Sequence, residues 1–409
     1  MSRYRGLLLS TIVALVAATL SGRAVLWAVF GVLLALSLIA PAWAWLNINW
    51  LRVSRRASAS AVQAGEWFEE SFRIVNLSIL PRLWLEVVDY SSLPNHAPSR
   101  PIALLAGRSW RGWRAGTTCA QRGAFTLGPL EVRSSDPLGF FEIRRRLPHV
   151  GQVLVLPYTA PLGEVALANT AGFNEAARAR RSFGDAVNAA GVREYAVGDS
   201  LNRIHWPSTA RRQKLIAKEF EQDSLSDIWI ALDTDEAVHF TAAHATPAGN
   251  FALLPPSTEE YAVALAASLA RHFIERHHAV GLIAWSEHRI FIPAERGMRQ
   301  LRHVLEQLAL LRVKGDMPFA RVITDELGVL PRSAAVIAIS PSPHPEWARA
   351  LHPIAYAGRA VLAAVIERSS FGDAQGVEAV LAAFAHPGIA VRVVRYGQPF
   401  AEALQALPR

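Results

Sequence analysis

The hydrophobic and polar positions fall into three regimes along the chain. In the first, Leu7 to Leu20 is an uncharged apolar run, and a second run extends from Val25 to Leu46. The second run is 22 residues long, enough to cross a bilayer core of about 30 Å. Trp43, Trp45 and Trp50 gather at its end, where amphipathic rings favour the interface. The first run has 14 residues, short for a span. It reads either as one arm of a helical hairpin or as the core of a signal peptide preceded by Arg3 and Arg5.

From Ala57 to Pro157 the period changes to two. Phe72 and Ile74 alternate with Ser71 and Arg73, Leu83, Leu85 and Val87 with Trp84 and Glu86, and Leu130 and Val132 with Glu131 and Arg133. Such alternation, broken by Gly, Pro and Ser, predicts half-buried antiparallel strands in a sandwich-like domain. Asp136, in the Ser-Asp-Pro-Leu-Gly phrase, reads as turn chemistry.

Beyond Ser226 the third regime alternates continuous apolar strands with helical stripes. The strands are 228–232, 280–285, 334–339, 361–366 and 390–394. Tyr261, Leu265, Leu269 and Phe273 recur at helical spacing, as do Met298, Leu301, Leu305 and Leu308. Uninterrupted apolar strands joined by helices predict an α/β fold with a doubly wound parallel sheet. The expected division is residues 1–50 as a transmembrane hairpin, 51–157 as the β-rich domain, 158–226 as a linker, and 227–409 as the α/β domain.

Composition refines this picture. One cysteine, Cys119, excludes an intramolecular disulfide and suits a reducing compartment. The net charge is +8, from 42 Lys+Arg against 34 Asp+Glu. No helix-turn-helix, zinc-finger or RNA-recognition pattern accompanies it, so attraction to an anionic membrane surface is expected and nucleic-acid binding is not. Arg3 and Arg5 precede the apolar runs, and Arg52, Arg55 and Arg56 follow them. The positive-inside rule then puts both ends, and the bulk of the chain, in the cytoplasm at the inner membrane.

Between Arg193 and Phe220 the chain reads REYAVGDSLNRIHWPSTARRQKLIAKEF. Here Asp199 or Ser200 is placed to cap a short helix carrying Arg203, Ile204 and Trp206, limited by Pro207. A strand is expected from Lys214 to Glu221. Two readings of the polar residues stand side by side. In one, Arg193, Glu194, Asp199, Arg203, His205 and Arg211 bind an anionic ligand or an acidic partner loop, since arginine offers bidentate contacts. In the other, Asp199 and Arg203 pair at the helix start while Tyr195 and Trp206 anchor the segment to the core.

This stretch, with RGAFTLGPLEVRSSDPLGFF at 122–141, resembles the bacterial family called domain of unknown function 58. That resemblance implies a C-terminal half like a von Willebrand factor A domain, whose first strand ends in Asp-x-Ser-x-Ser and holds a divalent cation. At that position stand Asp233, Asp235 and Ala237; Asp316 replaces the expected Thr, and Pro341 follows AAVIAIS. The pattern is degenerate. No cofactor is expected, with Mg²⁺ the ion that such oxygen ligands would take.

His239 and His244 lack a ligand pattern, and His272, His277 and His278 are expected at a partly exposed helix end. Neither G-x-x-x-x-G-K-[ST] nor G-x-S-x-G occurs, so nucleotide and serine hydrolase chemistry lack their handles. The resemblance implies a non-enzymatic, membrane-anchored adaptor acting with a MoxR-type AAA+ ATPase in maturing envelope or metalloprotein complexes, with no small-molecule substrate. The alternative is a metal-dependent enzyme acting on a phosphorylated or lipid-linked substrate. The expected contact residues are Arg193, Asp199, Arg203, His205, Trp206, Arg211, Asp233, Asp235 and Asp316.

Overall fold

Two helices, Ser2–Ser21 and Ala24–Ile48, meet at Gly22, whose φ of +64° is a conformation glycine adopts at little cost. Both are long and apolar enough to cross a membrane. The first helix begins well before Leu7, so its 20 residues rise about 30 Å and the length shortfall read from the apolar run disappears. Ala14, Ala18, Ala40 and Ala44 are buried, small residues of the kind that let helices approach closely. Thr11 and Ser37 hydroxyls lie 3.3 Å apart, and Tyr4 Oη donates to the Ser37 carbonyl at 2.9 Å. The computed structural model describes residues 2–136, 138–139, 141–148, 150–165, 191–194, 206–219, 227–242, 254–331, 333–384 and 388–405, with the backbone alone at 2, 3, 191–194, 207, 212 and 216–219.

Contacts divide the chain into two units, Met1–Tyr158 with Leu308–Leu310, and the remainder. Among the described residues the first unit carries ten strands: β1 (Leu51–Ala57), β2 (Ala61–Gln63), β3 (Trp67–Asn76), β4 (Arg82–Asp89), β5 (Arg100–Leu105), β6 (Trp110–Thr118), β7 (Gly123–Leu127), β8 (Leu130–Ser135), β9 (Glu142–Leu147) and β10 (Gly151–Leu156). They form sheets ordered β1-β3-β6, β5-β4-β8-β9 and β2-β10-β7. Pairing is antiparallel apart from β2 with β10.

Inward residues of the two larger sheets share one core, including Phe72, Ile74, Leu85, Val87, Ile102, Trp113, Leu130 and Val132. Phe72 and Trp113 stack with ring centroids 5.3 Å apart. The period-two reading holds along β3. It breaks in β4, where Trp84 has φ +56° and Arg82, rather than Leu83, is buried. Asp136 closes its turn as expected, accepting from the Phe141 amide at 2.6 Å and the Leu138 amide at 3.0 Å.

The second unit holds a hairpin of β11 (Gly191–Glu194) and β12 (Ile216–Glu219), and a six-stranded sheet. Its strands are β13 (Ile228–Leu232), β14 (Val280–Trp285), β15 (Arg289–Glu295), β16 (Ala335–Ser340), β17 (Val361–Ile366) and β18 (Ile389–Val394), ordered β15-β14-β13-β16-β17-β18. All neighbours run parallel except β15, an antiparallel edge absent from the sequence reading.

Helix Thr258–Glu275 is buried along most of its length, whereas the Met298–Leu310 stripe departs from expectation at Met298, which is exposed. Trp229, Ala231, Val336, Ala338, Val361 and Ala363 pack with Phe319, Ile323, Trp347 and Leu351 in a continuous core.

Candidate functional site

The chain leaves β13 toward β14 on one side and returns to β16 on the other. The carboxyl ends of β13 and β16 therefore flank a topological switch point, where open α/β sheets leave a crevice. Asp233 follows β13 and Ser340 ends β16. Ser340 Oγ donates to Asp233 Oδ2 at 2.5 Å, and the Ser342 amide donates to Ser340 Oγ at 2.9 Å. The Asp235 amide donates to Asp233 Oδ1 at 3.1 Å.

Asp233 is 1% exposed. Burial pushes its carboxyl up, to about 7, against the hydrogen bonds from Ser340 and the Asp235 amide, with the neighbouring Asp235 charge adding to the rise. Two donors thus aim at a carboxylate that its surroundings keep close to protonation at neutral pH.

Asp235 turns away from this crevice. Its Oδ1 accepts from the Ala237 amide and caps the short 3₁₀ turn Glu236–Val238. The loop is pinned by a parallel bridge between Asp235 and Gly315: the Gly315 amide donates to Thr234 O at 2.8 Å, and the Glu236 amide donates to Gly315 O at 3.0 Å. That pairing sets Asp235, Glu236 and Asp316 along one edge, with Glu236 and Asp316 exposed. Gly315 is required there, since a Cβ would collide with the Trp285 carbonyl and reach within 2.8 Å of Thr234 O.

His239 serves this architecture. Its Nε2 meets Asp233 O at 3.0 Å and its Nδ1 meets Thr258 Oγ1 at 3.2 Å, at the start of helix Thr258–Glu275. Ser340 carries no signal of its own in the sequence, since it closes an apolar strand and the acid expected there maps to Pro341, one position later.

The signature residues divide. Helix Trp206–Arg212 carries Trp206, 64% exposed, and exposed Arg211. The expectation that Trp206 anchors the segment to the core is therefore corrected. Pro207 does not end this helix, which runs on to Arg212. The strand expected from Lys214 begins at Ile216 instead, and Arg193 lies on its partner β11 with the backbone alone described. Tyr195, Asp199, Arg203, His205 and His244 lie outside the described residues.

Two further corrections concern titratable groups. His272 and His278 are buried rather than partly exposed, packing edge-on to Phe273 at 5.1 and 5.6 Å, while His277 is exposed. Burial pushes His272 down to about 4, with the Arg276 charge adding to the effect. Arg55, counted from sequence among the membrane-flanking charges, is committed inside the β domain. It forks onto Glu70 at 2.6 Å and onto Asp89 at 3.1 and 3.2 Å. His96 Nε2 lies 2.7 Å from Glu70 Oε2. Burial alone would push the Glu70 carboxyl up, but the His96 and Arg55 hydrogen bonds outweigh it and hold the carboxyl below its ordinary value.

Glu70, Asp89 and His96 offer ligand atoms within 4.8 Å of one another, the one such set among the described residues. The Arg55 guanidinium already bridges its two carboxylates. Asp233, Asp235 and Asp316 form no such set.

These features define a class: an α/β protein with two membrane-competent N-terminal helices, an antiparallel β region and a mostly parallel sheet with an acidic loop at its switch point. Residues 191–369 match the family described as "Protein of unknown function DUF58", and the chain carries that family's region. The uncharacterized protein YeaD of Bacillus subtilis is 25% identical over 140 residues, covering 34% of this chain and 30% of YeaD. The chain thus spans under a third of that relative's length.

Among solved structures, the CARDB domain of a Pyrococcus furiosus protein is 14% identical, over 26% of this chain and 91% of that one, at a TM-score of 0.20. A Vibrio harveyi exo-β-N-acetylglucosaminidase is 11% identical, over 75% and 60%, at 0.18. Likenesses this low carry no argument about fold or function.

Proposed function

We propose that this protein is a non-enzymatic, membrane-anchored adaptor, resident in the inner membrane with its bulk in the cytoplasm, whose von Willebrand factor A-like half engages a MoxR-type AAA+ ATPase. The supporting observation is the acidic edge that the Gly315 bridge builds from Asp235, Glu236 and Asp316 above the switch point. Such an edge suits a basic partner loop, because opposed charges steer encounter and fix register. Exposed Trp206 and Arg211 on the signature helix add residue types enriched at interfaces. The test is site-specific photocrosslinking from Asp316 in the full-length protein, co-expressed with its cognate ATPase. A crosslink to the ATPase that depends on nucleotide is expected; absence of that crosslink under every nucleotide state overturns the reading.

A second reading draws on the Asp233–Ser340 pair. A carboxylate and a hydroxyl 2.5 Å apart at the switch point are oxygen ligands of the kind Mg²⁺ takes, as a metal-dependent enzyme acting on a phosphorylated or lipid-linked substrate would need. Calorimetry of the solubilised protein with Mg²⁺ and Mn²⁺ decides it. Heat that Asp233→Asn abolishes favours the cation, and no heat at millimolar concentrations removes it.

A further inference from the structure

Arg82 is fully buried at the start of β4, yet none of its three guanidinium nitrogens has a hydrogen-bond partner. A buried cation without a counter-ion is among the most costly arrangements a protein can hold, and the groups around it sharpen the anomaly. Asn47, on the last turn of helix Ala24–Ile48, is also buried. Its Oδ1 accepts from the Leu83 amide at 3.4 Å, and its Nδ2 is likewise without a partner. The Trp50 ring lies 5.8 Å from the guanidinium carbon. Trp50 and Trp84 both take left-handed backbone, with φ of 57° and 56°, strain of a kind that collects at ligand clamps.

Position selects the ligand. The site stands where a helix competent to span a membrane ends. Trp45, Trp50 and Trp84 are each more than half exposed, and Leu77 and Ile79 project from the loop whose Leu77 amide bonds to Trp50 O. Aromatic and aliphatic side chains exposed at that level fit headgroup and acyl contacts. An arginine beneath them fits a phosphate, whose oxygens accept its fork.

We propose that Arg82, with Asn47 beside it, binds the phosphate of a membrane phospholipid at the end of the second apolar helix. Bound phosphate would neutralise the guanidinium and supply acceptors for the unpartnered donors. Burial pushes the Arg82 guanidinium below its ordinary value, and such a ligand would reverse that shift.

Native mass spectrometry of the full-length protein, delipidated in detergent and titrated with phosphatidylglycerol, tests the proposal. One retained lipid is expected, with about tenfold weaker retention in Arg82→Gln and Arg82→Met. Diacylglycerol, which lacks the phosphate, is expected to leave no retained adduct on the unaltered protein, a comparison that needs no variant to fold. Equal retention of both lipids, or of phosphatidylglycerol by all three proteins, overturns the proposal. Displacement of the lipid by millimolar inorganic phosphate overturns it too, since the site would then serve a free anion.

Discussion

Asp233 and His272 carry opposite pH signatures. Folded Asp233 keeps its proton up to about 7, while an unfolded aspartate releases it near 3.8. The native state therefore binds more protons in that window, and this contribution to stability falls as pH rises through it. Folded His272 stays neutral down to about 4 against an ordinary 6.5, so its contribution is lost as pH falls through that range. Asp233→Asn is expected to remove the loss toward neutrality, and His272→Gln the loss toward acid, each seen in denaturation midpoints from about pH 4 to pH 7.5. In the β domain, Arg55→Ala would strand two buried carboxylates and cost about 3–5 kcal/mol, measurable as faster amide exchange in β1 and β3.

Sequence made Asp233 legible through its place after an apolar strand. Ser340 and Arg55 were not legible because their partners lie 107 and 15 positions away, and Arg82 was not because its burial follows from a local break in alternation.

At the scale of elements, continuous apolar runs located the five parallel strands to within a residue of their observed starts and ends, since strands buried on both faces leave few polar positions. Arg392 in half-buried β18 and Ser340 at the end of β16 are the exceptions. The edge strand β15 alternates, with a burial pattern of one face only, and so escaped a search for continuous runs.

The loop carrying the acidic edge depends on Gly315. Gly315→Ala is expected to cost about 1–3 kcal/mol by overpacking and to displace Asp235 and Asp316 together, visible as a lowered melting temperature and lost partner binding. Trp206→Ala, on an exposed position, is expected to change stability by no more than about 0.5 kcal/mol while weakening partner binding. A large loss of stability would return Trp206 to a packing role.

Across the whole molecule, two helices joined at Gly22 and Arg23 imply that the residues before and after them share one side of the membrane. A cysteine placed at Ser21, in a Cys119→Ala background, should react with an impermeant thiol reagent from outside the cell. One placed at Ser58 should react after permeabilisation alone. Reaction of both from the same side would leave the hairpin incorrect.

The proposed docking of an ATPase on the acidic edge above the switch point is open to one direct measurement. Its most direct test is the affinity of the purified MoxR-type ATPase for the full-length protein in lipid nanodiscs, with and without ATP. Nucleotide-dependent binding that Asp235→Asn with Asp316→Asn weakens about tenfold is expected. Binding unchanged by those substitutions, or absent in every nucleotide state, would contradict it.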